Sequence, residues 1–296
     1  MPRSINSALG CLCTVAMMPP RGGALVRGLA GLLLAPCCLG KNDARDLSSM
    51  KQTDLKLWVT VDARVDFDNG RVVQWNDISH SENHVKQNNA DKSPGFETNP
   101  DGGDQITFGN NNAYLSSQPV QLFDTPSSGL TAMVMFKHFK PEEGKASSMV
   151  LLNYGAGGLK LQNHNFEVGM KVKDNSVVFF VHRGSGRMAM SKKLSLKPDE
   201  KFHLLTVQVA AEAPAEGSVI SFALDGKDLG QASEKNKGWL KSGKYPTLSA
   251  PVDIGARVDG NKIEGTIGAH MGATADMGFK GVISEVIIYA RVSRAA

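Results

Sequence analysis

The chain has 296 residues, and its formal net charge of +4 is concentrated at one end. Arg3, Arg21 and Arg27 lie in residues 1–40, which contain no acid; taking these three from the 33 Lys and Arg leaves 30 basic residues against 29 acidic ones. A body so nearly neutral, without a run of Lys and Arg interleaved with aromatics, has no field for a polyanion, which excludes nucleic acid as a partner class.

Residues 1–40 read as a signal or leader segment. Ala24 to Leu39 is an apolar run broken by Arg27 and preceded by Arg21, the order of a basic n-region and a short h-region. It is too short and glycine-rich for a bilayer span. Met17 and Met18 offer a second start that would give a leader of ordinary length. All four cysteines, Cys11, Cys13, Cys37 and Cys38, fall in this segment, so the body has neither a disulfide nor a thiolate metal site. Leu34-Ala35-Pro36-Cys37 is similar to a bacterial lipobox, with proline where that motif has a small residue. Two processing routes stay open: lipidation of Cys37, and ordinary cleavage near Gly40. Either one predicts export to the cell envelope, the outer surface or the periplasm, with membrane contact only through a lipid anchor. An organellar transit peptide would be richer in Ser and Arg. Residues 41–54 are polar and aperiodic and read as a tether.

From Leu55 onward, short β-prone runs are separated by Gly, Asn, Asp and Pro clusters. Strands are predicted at Gln105–Phe108, Leu130–Phe136, Met149–Tyr154, Phe166–Val172, Ser176–Val181, Phe202–Val209, Val219–Leu224 and Val282–Tyr289. Leu205-Thr206-Val207-Gln208-Val209 alternates most cleanly between an apolar and a polar face. Asp174-Asn175 and Asp225-Gly226-Lys227 read as hairpin turns. No helical period is sustained over a dozen residues and nothing repeats. The expectation is therefore an all-β, antiparallel jelly-roll β-sandwich in one domain over residues 55–296.

Five pieces in order carry a family resemblance. They are Trp58 with Asp62-Ala63, Val72-Val73-Gln74-Trp75-Asn76-Asp77-Ile78-Ser79, Gln105–Phe108 with Tyr114-Leu115, Ile254-Gly255-Ala256, and Gly281-Val282-Ile283-Ser284-Glu285-Val286. In these the chain resembles the laminin-G-like, concanavalin A-like jelly rolls of secreted bacterial proteins, with Trp58 on the opening strand and Glu285 on the closing one. The resemblance implies binding rather than chemistry, since the family includes sugar binders, adhesion modules and accessory domains of enzymes.

Glucanases of this fold class carry Glu-x-Asp-x-x-Glu on one strand. Alternation points acid and nucleophile to one face, about 5 Å apart. That spacing does not occur here; Glu167 and Glu285 stand alone on their strands. Neither a nucleophile elbow nor a nucleotide-binding loop occurs. No catalytic residue is assigned, and hydrolysis by dispersed carboxylates is the alternative, beside a structural role in an envelope assembly.

His80-Ser81-Glu82-Asn83-His84 lacks the zinc-protease spacing and reads as a solvated loop. Calcium is the ion the composition suggests. Asp66 and Asp68 in Asp66-Phe67-Asp68-Asn69-Gly70, and Asp101 and Asp104 in Asn99–Asp104, gather hard oxygens in turns, although Asp, Asn and Gly also make turns without an ion. For sugar binding, Trp58 and Trp75 lie within apolar strands and read as core. Trp239 and Tyr245 lie in a basic, Gly-bearing loop with Lys237. There an exposed Trp239 would stack on a sugar ring and Lys237 would meet acidic groups, unless Trp239 folds back over the sandwich edge. The predicted partner is a glycan or a cell-surface protein.

Overall fold

Strand after strand, apolar side chains fall on alternate positions, and those stripes decide how the sheets stack. The computed structural model describes residues 54–99, 103–109, 113–122, 129–140, 147–154, 166–183, 187–198, 201–210, 219–231, 251–256 and 278–290. The strands in chain order are β1 (Leu55–Thr60), β2 (Val65–Asp68), β3 (Arg71–Trp75), β4 (Val85–Lys86), β5 (Gly95–Asn99), β6 (Gly103–Phe108), β7 (Leu115–Ser117), β8 (Leu130–His138) and β9 (Ser147–Tyr154). They continue as β10 (Phe166–Lys173), β11 (Ser176–Arg183), β12 (Arg187–Met190), β13 (Leu194–Ser195), β14 (His203–Ala210), β15 (Val219–Leu224), β16 (Lys227–Gln231), β17 (Val252–Ile254) and β18 (Gly281–Tyr289). One 3-10 turn, Ala90–Lys92, lies between β4 and β5.

All pairings between these strands are antiparallel, and they resolve into two layers. The first sheet runs β16-β15-β14-β8-β18. The far edge of β18 is shared by β1 along Glu285–Tyr289 and by β6 along Gly281–Ile283, and β5 follows β6. The second sheet starts with β12 and β13 side by side on β11 and continues β10-β9-β17-β7-β4-β3-β2. The layers meet at one corner, where Arg71 of β3 pairs with Gly95 of β5. The fold is the all-β antiparallel jelly-roll sandwich expected from the sequence.

One face of each sheet fills the core. On β8, Leu130, Ala132, Val134 and Phe136 point inward; on β10, Phe166, Val168, Met170 and Val172 do so. Phe136 of the first sheet meets Phe179 of the second edge to face, with ring centroids 6.0 Å apart. Each fully buried side chain of this kind contributes roughly 1.5–3 kcal/mol. Trp75 is fully buried in this cluster, as its sequence context predicts. Trp58 is buried too, but on the outer face of the first sheet, outside the central cluster.

The Ile254-Gly255-Ala256 piece has a steric cause. Gly255 has φ +90°, and a Cβ there would run into the Phe108 ring of β6, so glycine alone fits. The predicted hairpins form: β10 and β11 join through Asp174-Asn175, β15 and β16 through Asp225-Gly226, and both aspartates take positive φ.

Candidate functional site

Two hairpins are docked side by side at one edge of the sandwich. In the first, β2 and β3 are joined by Asn69 (φ 48°) and Gly70 (φ 70°), the left-handed pair of a type I′ turn. In the second, β5 pairs with β6. The Phe96 N–H donates to the Gly70 carbonyl at 2.8 Å, and the Val72 N–H donates to the Pro94 carbonyl at 2.9 Å. Phe67 stacks on Phe96, with ring centroids 4.4 Å apart and planes 20° apart, and remains 54% exposed. An exposed apolar ring held by backbone register is a preformed platform. On the opposite face of this second hairpin from Phe96, Glu97 accepts hydrogen bonds from Gln105 Nε2 at 2.9 Å and from Thr107 Oγ1 at 3.4 Å.

The predicted calcium ligands are distributed over this edge. Asp66 lies on β2 opposite Gln74, and its carboxylate accepts from Arg64 Nε at 2.9 Å and from Asn76 Nδ2 at 3.4 Å. The Arg64 hydrogen bond holds the Asp66 carboxyl below the usual aspartate range. Asp68 faces Arg71 at the exposed hairpin end, and exposed Asp104 faces Thr98 on the neighbouring hairpin. Asp101 lies outside the described residues, as do Trp239, Tyr245, Lys237 and Cys37. Among the described residues, no three His, Cys, Asp or Glu side chains gather as a metal site.

The histidine-bearing segment is a loop organised by Asp77. The buried Asp77 carboxylate accepts from the backbone N–H of Trp58 (2.8 Å), Ser79 (2.9 Å) and Asn83 (2.7 Å), and from Ser79 Oγ (2.7 Å). His84 Nδ1 accepts from the Asp77 N–H at 3.0 Å, so this ring closes the loop.

On the outer face of the first sheet, Trp58 Nε1 donates to Glu285 Oε1 at 2.8 Å. Burial raises the Glu285 carboxyl above its ordinary value against the opposing pull of that bond, and Asp62 adds to the rise. Tyr289, four residues on along β18, is pushed up to about 12, first by burial and then by the Glu285 charge.

A polar row on the outer face of the second sheet was not foreseen from the sequence. Ser116 of β7, Asp253 of β17, Asn153 of β9 and Glu167 of β10 are successive register partners. Ser116 Oγ donates to Asp253 Oδ1 at 2.6 Å, and Asn153 Nδ2 donates to Asp253 Oδ2 at 2.8 Å. Asp253, Asn153 and Glu167 are each 1% exposed. The signal was one polar residue amid apolar ones in each of Val252-Asp253-Ile254, Leu152-Asn153-Tyr154 and Phe166-Glu167-Val168.

With this geometry in hand, known structures place the architecture. The Trypanosoma rangeli sialidase in complex with 2,3-difluorosialic acid superposes with a TM-score of 0.50 at 13% identity, over 82% of this chain and 31% of that one. The likeness shows the fold alone. The binding domain of Paraclostridial Mosquitocidal Protein 1 gives 0.49 at 11% identity, over 82% and 50%. The heptameric SAP-like pentraxin from Limulus polyphemus gives 0.42 at 16% identity, over 64% and 77%. The chain thus spans about half of the toxin binding domain and about a third of the sialidase. No protein-family model matches the sequence, and no curated protein matches it.

Proposed function

We propose that this chain is a non-catalytic binding module for a glycan or a glycan-bearing surface protein, and that the twin-hairpin edge is its contact surface. The observation that supports the reading is the Phe67–Phe96 stack, an aromatic platform more than half open to solvent on its Phe67 side. Pyranose rings present C–H groups that pack on an aromatic face, while their hydroxyls need acceptors and donors around it. Trp239, Tyr245 and Lys237 form a second contact loop in this reading, and export with a leader over residues 1–40 brings the module to its partners.

The test is glycan-array binding of the chain, with and without calcium, for the wild type and for Phe67→Ala. Selective binding by the wild type, lost in Phe67→Ala at an unchanged melting temperature, is the expected result. Equal binding by both proteins removes the hairpin edge from the reading. A blank array in both conditions removes glycans and favours a protein-assembly role.

A further inference from the structure

We propose that His84 is a pH-operated latch, and that protonating its imidazole releases the 77–84 segment from the edge of β1. This segment leaves β3 of the second sheet, crosses to β1 of the first and returns to β4. β1 pairs with β18 along one side, and the segment covers backbone groups on the other. The Asp77 carboxylate accepts from the Trp58 N–H at 2.8 Å, and the Ile78 N–H donates to the Trp58 carbonyl at 2.8 Å. Asn83 Nδ2 donates to the Lys56 carbonyl at 2.7 Å, and Ser81 Oγ donates to the Leu55 carbonyl at 2.9 Å. The segment thus takes the place of a neighbouring strand and shields an edge that would otherwise be open to pairing.

The closing contact depends on one protonation state. A backbone amide can only donate, so the Asp77 N–H at 3.0 Å fixes His84 Nδ1 as an acceptor. The ring is then neutral, with its proton on Nε2. A protonated imidazole carries N–H at both nitrogens and has no acceptor. The same contact would set two donors against each other and strand the Asp77 N–H. A second observation shows a segment held under tension. Glu82 has a φ of 50°, and its carbonyl accepts from the His84 N–H at 2.9 Å. A non-glycine residue stays in the left-handed region when its surroundings hold it there, so freeing the ring also frees this turn.

Imidazole is the side chain whose ordinary charge change falls between about pH 5 and 8. Among the described residues, the charged groups around His84 come from each element beside it. They are Asp66 of β2 with its partner Arg64, Lys86 of β4, and Asp77 and Glu82 within the segment itself.

The experiment is amide hydrogen exchange of the full chain, corrected for intrinsic rates, at about pH 7.5 and about pH 5, with imidazole nitrogen NMR alongside. At the higher pH, His84 should be the Nε2–H tautomer. On acidification, protection of the Asp77, Ile78 and Asn83 amides should fall at least about tenfold, while the β8–β18 ladder keeps its protection. His84→Asn supplies an acceptor oxygen that does not titrate, and should hold the segment closed at both pH values. His84→Ala should leave it open at both. If His84→Ala fails to fold, the comparison of wild type with His84→Asn decides. An Nδ1–H tautomer at the higher pH overturns the proposal, as does unchanged protection of the wild type on acidification. An equal fall in His84→Asn also overturns it, by placing the titrating group elsewhere.

Discussion

The indole of Trp58 and the carboxylate of Glu285 are joined by a 2.8 Å hydrogen bond across 227 positions of sequence. The bond ties the outer faces of β1 and β18 together in the register Thr60–Glu285 and Trp58–Ile287. It also leaves an ionisable carboxyl in partly desolvated surroundings, and this has consequences for pH.

Burial raises the Glu285 pKa above the usual glutamate value near 4.5, so the folded protein holds this proton more tightly than the unfolded chain. The resulting stabilisation is fully present below the unfolded value and is lost as pH rises through the folded one. Glu285→Gln keeps an acceptor for Trp58 and removes the titration. Melting temperature measured against pH should therefore fall across the weakly acidic range in the wild type more than in the variant. Parallel curves would show that Glu285 ionises freely.

Tyr289 obeys the same sign at the other end of the scale. Its hydroxyl is raised from 10.0 to about 12, so the phenol contributes stability that is intact below pH 10 and lost as pH climbs through about 12. Burial raises the Tyr154 hydroxyl too, so ultraviolet titration of the phenolates should show late-titrating tyrosines whose number falls by one in Tyr289→Phe. Loss of an early-titrating one instead would refute the assignment.

Asp77 concentrates four hydrogen bonds on one buried carboxylate. Asp77→Ala strands three backbone N–H groups and a hydroxyl, which should cost about 3 kcal/mol or more in denaturant unfolding. Asp77→Asn keeps one acceptor oxygen and should cost less. A loss below about 1 kcal/mol for the alanine variant would show that the loop satisfies itself by other means.

Gly255→Ala meets two obstacles at once, a φ of +90° and the Phe108 ring. Backbone strain and overpacking together should remove about 2–4 kcal/mol, read from urea midpoints at unchanged slope. Wild-type stability in this variant would mean that β6 and β17 yield easily.

The long strands were legible because their residues state a period of two or a solid apolar run, and because Asp174-Asn175 and Asp225-Gly226 punctuate them. Leu130–His138 and Gly281–Tyr289 came out within two residues of the expected bounds. Short strands such as Val85–Lys86 and Leu194–Ser195 carry too few residues to show a period, and neighbouring strands define them. Trp58 read as core because an apolar strand surrounds it, yet strand parity puts it on the outer face, where Glu285 gives its N–H a partner. The Phe67–Phe96 platform and the Ser116–Asp253–Asn153–Glu167 row depend on registers between strands up to 137 positions apart, and local pattern carries no information about such registers.

β18 occupies an interior place in its sheet, flanked by β8 on one edge and by β1 and β6 on the other. A ribosome makes that strand after every other strand named above. Until it emerges, β8 and the opening strand have no neighbour between them, and the first sheet cannot close. The sandwich therefore completes itself only after β18 has been synthesised, through contacts of very long sequence separation that form slowly. For all of that interval the growing polypeptide stays accessible to whatever handles unfolded chains, whether chaperone, protease or secretion machinery.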